Sequence, residues 1–313
     1  MADTTQSDTD VLYLGLLAPA LIALIAGLVI HSFIIGVNVT DWWKGRPVTP
    51  VDLIVTSLGI SRMGTQCANT LYTFLIRLLK LDSPITVVII GTVYAFFAYA
   101  NAWLISLLSI VLYMKIANFH TKLFLYLRGV IIHRTVCCIV AAVLLSAISL
   151  IEIMMRAITD GTKDGGNNIT RHCNSSRTLY KFIFGGSLPQ IFSFISSVLL
   201  FILLYHHTAK MKMSSNLSIN LETYYSAMKF VSFTCIYSII YLFGHFACLF
   251  YYSLYCVSLS WFRIVLEFLP ALHSSYLIYR TAKLRSQMSK VLQNLIDFLH
   301  QRKDTETREN IQM

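Results

Sequence analysis

Charged residues are scarce in this chain, and their scarcity argues against any sizeable soluble domain. Asp, Glu, Lys and Arg make up 13% of the 313 residues, whereas 56% are hydrophobic and the mean hydropathy is +0.64. The sequence also lacks a GxSxG, an HExxH, a phosphate-binding loop and a dinucleotide fingerprint. Its seven cysteines form no CxxC or metal-ligand spacing. We therefore expect neither an enzyme nor a protein with a metal or other cofactor.

Long apolar stretches dominate what is present. Seven of them reach the ~18 residues or more that a helix needs to cross a bilayer. They run approximately over 11–37, 51–75, 84–114, 131–155, 180–205, 224–252 and 259–280. This pattern predicts an all-α membrane protein, a seven-transmembrane helix bundle. The odd number of spans and the lack of an internal repeat disfavour a duplicated transporter, as does the absence of paired intramembrane carboxylates.

The basic residues orient the bundle. With the N-terminus outside, 16 of the 25 Lys and Arg residues lie in inner segments and 8 in outer ones, with Arg62 left inside the second span. The net charge of +10 then reflects this topology and attraction to anionic membrane lipid, so that no nucleic-acid partner is needed to explain it. We expect a multi-pass plasma membrane protein with an extracellular N-terminus.

The chain divides into three segments on this interpretation. Residues 1–10 form a polar extracellular tail, 11–285 the membrane-spanning bundle, and 286–313 a cytoplasmic amphipathic helix and tail. The helix is predicted over 287–300, where apolar residues recur with helical period, and the polar residues beyond it are expected to be disordered. Sequons at Asn168 and Asn174 fall in an outer loop and predict N-glycosylation there.

A few polar residues lie inside the spans, where each needs a partner. Arg62 must meet carbonyls, polar side chains or water, and it could serve as a static anchor or as an element that moves during switching. His31 in the first span is expected to hydrogen-bond a neighbouring helix. Arg263 and Glu267 are four residues apart near an outer end, so they share a helix face and could form a pair.

Six motifs, in order along almost the whole chain, resemble those of the type 2 (bitter) taste receptors, a family of G-protein-coupled receptors. The most specific is LYMKIANF at 112–119, which is similar to the family's FYxxKIAxF. The others are the first inner loop from Asn38 to Arg46 with Asp52, LGISR at 58–62, Pro189 with HTAKM at 207–211, AMK at 227–229, and PALHS at 270–274 with Leu277, Ile278 and KLR at 283–285.

The resemblance implies a receptor for small, often plant-derived bitter compounds. They would bind in an outer pocket among the transmembrane helices, and the receptor would activate a heterotrimeric G protein with a gustducin-type Gα. Family pocket positions fall on Tyr94, Ala98, Asn101, Tyr241 and Arg263, and Glu267 lies beside them on the seventh span. Family switch and G-protein-coupling elements fall on Arg62, Tyr113, Lys115, His207, Lys210, Lys229 and His273.

Three residues depart from the family pattern. Tyr94 stands where many members carry tryptophan, Arg263 where several carry an acidic residue, and His31 where asparagine is usual. A cation such as Arg263 repels cationic alkaloids, which suggests neutral or anionic aromatic ligands. The nearest alternative is a vomeronasal (pheromone) type 1-like receptor, which shares the bundle, although the KIAxF-like and HSxxLI-like segments speak against it.

Overall fold

The computed structural model is all-helical in the parts of the chain that it describes. These are residues 2–78, 84–116, 126, 129–131, 133–161, 187–213, 218–255 and 259–312. The helices are α1 (Ala2–Trp43), α2 (Pro50–Tyr72), α3 (Pro84–Ile116), α4 (Thr135–Gly161), α5 (Leu188–Met213), α6 (Ser218–Tyr255), α7 (Ser260–Arg280) and α8 (Ala282–Gln312). A π-helical segment, Thr73–Leu78, continues α2. The sequons at Asn168 and Asn174 lie outside the described residues.

The start of α2 is fixed by its own sequence. The Thr49 hydroxyl accepts a hydrogen bond from the Asp52 N–H, while the Asp52 carboxylate accepts one from the Thr49 N–H at 3.1 Å. This reciprocal capping box satisfies two backbone donors, and Pro50 occupies the first helical position, where its missing N–H costs nothing. The cap therefore sets where α2 begins. It also sets how far along the bundle each polar residue of α2 lies.

Helix α3 lies at the centre of the packing. It contacts α2, α4 and α5, while α1 packs on α2 and α7, and α6 packs on α5 and α7. The main core joins Leu58 of α2, Leu104 and Ile105 of α3, Tyr237 of α6 and Leu277 of α7, all buried. Because lipid is as apolar as these side chains, close packing and polar contacts between helices are what hold such a bundle together.

Four of the described helices contain a stretch long and apolar enough to cross a membrane: Leu17–Trp43, Val88–Lys115, Leu188–His206 and Tyr225–Tyr251. Helix α4 carries a shorter apolar stretch, Thr135–Ile148. Helices α2 and α7 lie on the predicted spans 51–75 and 259–280 but are less apolar than these four. Both helices carry several polar residues that are buried inside the bundle, and these polar residues lower the mean hydropathy of the two helices.

The two ends of the chain differ from the prediction. Helix α1 begins at Ala2, so that residues 2–10, predicted as a tail, belong to the helix. Helix α8 spans 31 residues rather than the short 287–300, and it includes the segment expected to be disordered. The C-terminal segment has no glycine or proline and is rich in Lys, Arg, Gln and Glu, which are good helix formers, whereas the helical conformation of residues 2–10 has no such explanation in their sequence. The apolar face of α8 starts with Met288 against the core and continues through exposed Leu295 and Leu299.

Candidate ligand-binding and switch site

The site is built around polar residues that recur on one face of α2. Arg62, Gln66 and Asn69 follow each other at steps of four and three residues, which places them on a single helix face. All three are buried, and Arg62 is only 1% exposed. The face therefore points into the bundle, where its polar groups meet α3 and α7.

Arg62 donates hydrogen bonds to two other helices. Its Nε donates to Asn101 Oδ1 of α3 at 3.2 Å. Its Nη1 donates to the Pro270 carbonyl at 3.2 Å and to the Ser274 hydroxyl, both on α7, and its Nη2 lies 3.1 Å from His273 Nδ1. Because a guanidinium has no acceptor, His273 must accept at Nδ1 and carries its proton on Nε2. Among the described residues, every hydrogen-bond partner of Arg62 is uncharged.

Ser274 extends this network to the first helix. Its hydroxyl, which accepts from Arg62, also lies 3.0 Å from Nε2 of His31. His31 and His273 are fully buried, and each has a partner on a neighbouring helix for one of its two ring nitrogens. One hydroxyl on α7 thus joins α1, α2 and α7 at a single point.

Aromatic rings of α6 cover the other side of the network. The ring centroid of Tyr237 lies 4.6 Å from that of His273 and 5.8 Å from the Arg62 guanidinium carbon, so the cation faces an aromatic surface. Phe233 stacks on His273 at 6.2 Å. Tyr241, one turn further along, stacks on Tyr237 at 5.7 Å. A movement of α6 would therefore change the surroundings of both Arg62 and His273.

A cavity opens above this network, toward the end of the bundle where α3 and α7 begin. It has a volume of about 450 Å³, including the open space at its mouth. Its lining residues come from α2, α3, α6 and α7. They are Arg62, Thr65, Gln66, Asn69, Tyr94, Asn101, Tyr241, His245, Arg263, Leu266, Glu267 and Pro270.

Five of the six residues predicted for the pocket line this one cavity: Tyr94, Asn101, Tyr241, Arg263 and Glu267. The sixth, Ala98, is half-buried on α3 and is not among the lining residues. Tyr94, Ala98 and Asn101 share a helix face, so Ala98 is one turn from both lining residues of α3. The structure thus brings together positions that are far apart in the sequence.

Arg263 and Glu267, which their spacing would allow to pair, form no ion pair with each other, although both side chains are described. The Glu267 carboxylate instead accepts a hydrogen bond from the Asn69 side chain. The Arg263 guanidinium lies 5.9 Å from the ring centroid of Tyr72. Both charged side chains thus contact residues of α2 instead of each other. These contacts form when α2 and α7 pack together, and they do not depend on the spacing of the two residues along α7.

The predicted switch residues fall into two groups. Arg62 and His273 lie in the network beneath the cavity. Tyr113 of α3 packs against a second buried cluster formed by α5 and α6, and Lys115 and Lys229 are exposed near the opposite end of the bundle. The side chains of His207 and Lys210, which belong to α5, lie outside the described parts.

A second polar cluster closes that opposite end. Lys283, at the start of α8, forms ion pairs with Asp41 at 3.0 Å and Asp52 at 3.5 Å and donates a hydrogen bond to Asn38 Oδ1 at 2.9 Å. Asn38 also donates to the Thr56 hydroxyl of α2 at 2.9 Å. The start of α8 is thereby fastened to the ends of α1 and α2.

Sequence reasoning missed Gln66 and Asn69 as members of the site. Gln66 donates to the Glu267 carbonyl at 3.4 Å, and Asn69 holds the Glu267 carboxylate. Their spacing from Arg62 is the signal that could have identified them, because it continues the buried face of α2. The capping of that helix and the packing of α7 then decide which partners they meet.

A comparison with solved structures defines the class of fold. Squid rhodopsin matches with a TM-score of 0.59 and 16% sequence identity, over 92% of this chain and 87% of the rhodopsin chain. At this identity the likeness shows the fold alone. The helical bundle therefore has a rhodopsin-like, G-protein-coupled-receptor fold.

Sequence comparisons identify the family within that class. The family model described as "Taste receptor protein (TAS2R)" matches residues 10–296, and the chain belongs to this family. Similar curated proteins include taste receptor type 2 member 125 of Rattus norvegicus, 28% identical over 87% of this chain and 91% of the relative. Another is member 9 of Pan troglodytes, 27% identical over 95% of this chain and 98% of the relative. The resemblance seen in the motifs is confirmed: the chain is a multi-pass membrane receptor, not an enzyme.

Proposed function

We propose that this protein is a bitter taste receptor that binds small, often plant-derived compounds in the cavity lined by α2, α3, α6 and α7. Membership of the taste receptor family supports this function. The observation that carries the choice of site is the convergence of Tyr94, Asn101, Tyr241 and Arg263 on one cavity. Its aromatic and hydrogen-bonding lining suits a small aromatic ligand, which needs a concave site with a few placed polar groups.

The proposed topology places the N-terminus and the mouth of the cavity outside. Helices α1 to α7 then cross the membrane, and α8 lies along the inner leaflet with its exposed apolar face, including Leu295 and Leu299, against lipid. The bias of Lys and Arg toward the inner segments supports this orientation. Asn168 and Asn174 would be glycosylated in an outer loop.

The proposed mechanism couples the cavity to the inner face through the Arg62 network. A ligand that contacts Tyr241 biases the position of α6, and α6 carries Tyr237, which faces both Arg62 and His273. The helices would shift between two packed arrangements, of which the ligand stabilises one. The inner face, with Tyr113, Lys115, His207, Lys210 and Lys229, would then engage a gustducin-type Gα.

The central test is intracellular calcium in cells that express this chain with a gustducin-like chimeric Gα, over a panel of bitter compounds. We expect Tyr241→Ala to abolish the response to an active compound while surface expression persists. Asn101→Ala should act in the same direction. Phe243→Ala is the matched control, because Phe243 lies on α6 but is 66% exposed on its outer face. An equal loss in Phe243→Ala, or silence of the wild type at the surface across a broad panel, would contradict the proposal.

The charge at Arg263 sets the expected ligand class. It is one of the cations lining the cavity, and it would repel a cationic alkaloid in surroundings of low dielectric constant. We therefore expect neutral or anionic aromatic agonists. Arg263→Glu should lower the potency of anionic agonists and admit cationic compounds, whereas an unchanged set of agonists in that variant would count against this specificity.

A further inference from the structure

Helices α6 and α7 contact each other through an aromatic cluster in the half of the bundle nearer to α8. The cluster consists of Phe230 and Phe233 on α6 and Tyr276 on α7. The ring centroid of Tyr276 lies 6.0 Å from that of Phe230 and 4.3 Å from that of Phe233. Tyr279 stacks on Tyr276 at 6.3 Å and is 62% exposed. Because the three cluster residues are only half-buried, the cluster reaches the outer surface of the bundle.

Two cations lie next to this cluster, one on each helix. Lys229 directly precedes Phe230 and lies one turn from Phe233, and Arg280 lies one turn from Tyr276. The two helices run in opposite directions, as the contacts of Phe230 with Tyr276 and of Tyr237 with His273 show. Lys229 and Arg280 therefore both lie on the side of the cluster that faces α8.

Neither cation has a counter-charge in the part of the chain that the structure describes. None of the ion pairs found there involves Lys229 or Arg280. The sequence from Tyr225 to Ile296 contains a single acidic residue, Glu267, and Glu267 lines the cavity near the other end of the bundle. The surface around the two cations is therefore positively charged, in keeping with an anionic partner from outside the chain.

The guanidinium of Arg280 also lacks hydrogen-bond acceptors. Its Nε is buried without a partner among the described residues, and no hydrogen bond from the rest of the group is found there either. Buried N–H groups are nearly always paired, and a guanidinium favours phosphate and carboxylate oxygens. Lys229 is exposed, and the hydroxyl of the exposed Tyr279 can act as a further donor.

The surface beyond the aromatic cluster is apolar. Ile236 lies seven residues from Lys229 on α6, Leu272 lies eight residues from Arg280 on α7, and each is 55% exposed. At 1.5 Å per residue, these side chains lie about 10–12 Å further along the bundle than the cations. Half the hydrocarbon core of a bilayer is about 15 Å thick, so both side chains lie at the depth of acyl chains when the cations lie at its surface.

We propose that an anionic phospholipid binds at this junction of α6 and α7, with its phosphate between Lys229 and Arg280 and an acyl chain along Ile236 and Leu272. The unpaired cations account for the negative headgroup, and the exposed apolar residues account for a lipid rather than a free phosphate. The proposed topology places this end of the bundle at the inner leaflet, which is rich in anionic lipid. The binding itself can be measured without G protein or agonist, so that its failure is distinguishable from failure of the proposed function.

The experiment counts the lipids that stay bound to the full-length receptor. The receptor is purified in a neutral detergent with phosphatidylserine or phosphatidylcholine at equal mole fraction, and native mass spectrometry records the lipid adducts. We expect one phosphatidylserine to remain bound at a concentration at which phosphatidylcholine is lost. Water-soluble glycerophosphoserine at the same concentration should not displace it. Equal retention of the two lipids, or displacement by the soluble headgroup, would overturn the proposal.

Charge variants then locate the site. Arg280→Gln and Lys229→Gln each remove one cation and should weaken phosphatidylserine binding about fivefold. The two substitutions lie on different helices, so that misfolding of one variant, seen in its thermal unfolding midpoint, leaves the other to decide. Lys290→Gln is the matched control, because it removes one exposed cation of α8 outside the cluster. If Lys290→Gln weakened binding as much as the other two, the lipid would be held by the general positive charge and the proposed site would be wrong.

Discussion

Ser274 offers the sharpest test of the polar network, because a single hydroxyl there joins three helices. Ser274→Ala keeps the size of the side chain and removes its contacts with Arg62 Nη1 and His31 Nε2. Interhelical hydrogen bonds inside membranes contribute about 0.6 kcal/mol on average and at most about 1.7. With two bonds lost from a site that water does not reach, we expect the free energy of unfolding to fall by about 1–3 kcal/mol.

The neighbouring residue provides a matched control for this substitution. Ser275 lies on the same helix, but it is exposed and its hydroxyl donates to the Ala271 carbonyl within α7 at 2.9 Å. Ser275→Ala should therefore change the stability of the receptor by less than Ser274→Ala. Both variants can be compared by reversible unfolding in mixed micelles. Equal stabilities would refute the view that the Ser274 hydroxyl connects the helices.

Two further substitutions test other parts of the bundle. Lys283→Gln removes the ion pairs that fasten α8 to the ends of α1 and α2. Amide hydrogen exchange at the start of α8 should then become faster, whereas it should stay unchanged in Lys290→Gln. Gly64→Ala places a methyl group 2.5 Å from the Phe97 ring, and overpacking of this kind costs about 1–3 kcal/mol. Gly91→Ala meets nothing within 4 Å and should be neutral or slightly stabilising, so equal losses in the two alanine variants would argue against tight packing at Gly64.

The helices could be located from the sequence because a long apolar run in a membrane can adopt few structures other than a helix. Each predicted span lies on a helix wherever the structure describes it, from the first at 11–37 to the last at 259–280. The ends were harder to place. The segments 2–10 and 301–312 are polar and were predicted as tails, the second of them disordered, yet both are helical; only the second is rich in good helix formers.

The partners of the site residues could not be read from the sequence. Arg62 was recognised as a residue that needs a polar neighbour, but Asn101 lies 39 positions away and Ser274 lies 212 away. Which of many polar residues it meets depends on how α2, α3 and α7 rotate against each other. The same reason explains why Arg263 and Glu267 do not pair: helical spacing allows a local pair, but packing supplies each of them with a contact on α2.

Helices α2 and α7 have a low hydropathy for membrane spans, although their polar contacts place them inside the bundle. The same polar residues account for both properties. These two described helices are less apolar than the four that are long and apolar enough to cross a membrane, yet both lie in the bundle, and α2 packs extensively against α3. Arg62, Gln66 and Asn69 on α2 meet His273 and Glu267 on α7 or stand beside them. The residues that lower the hydropathy of each helix are thus the ones that hold it to its neighbours. In a membrane this arrangement is stable only while those residues face inward, so substitutions that rotate either helix should impair folding before they impair ligand binding.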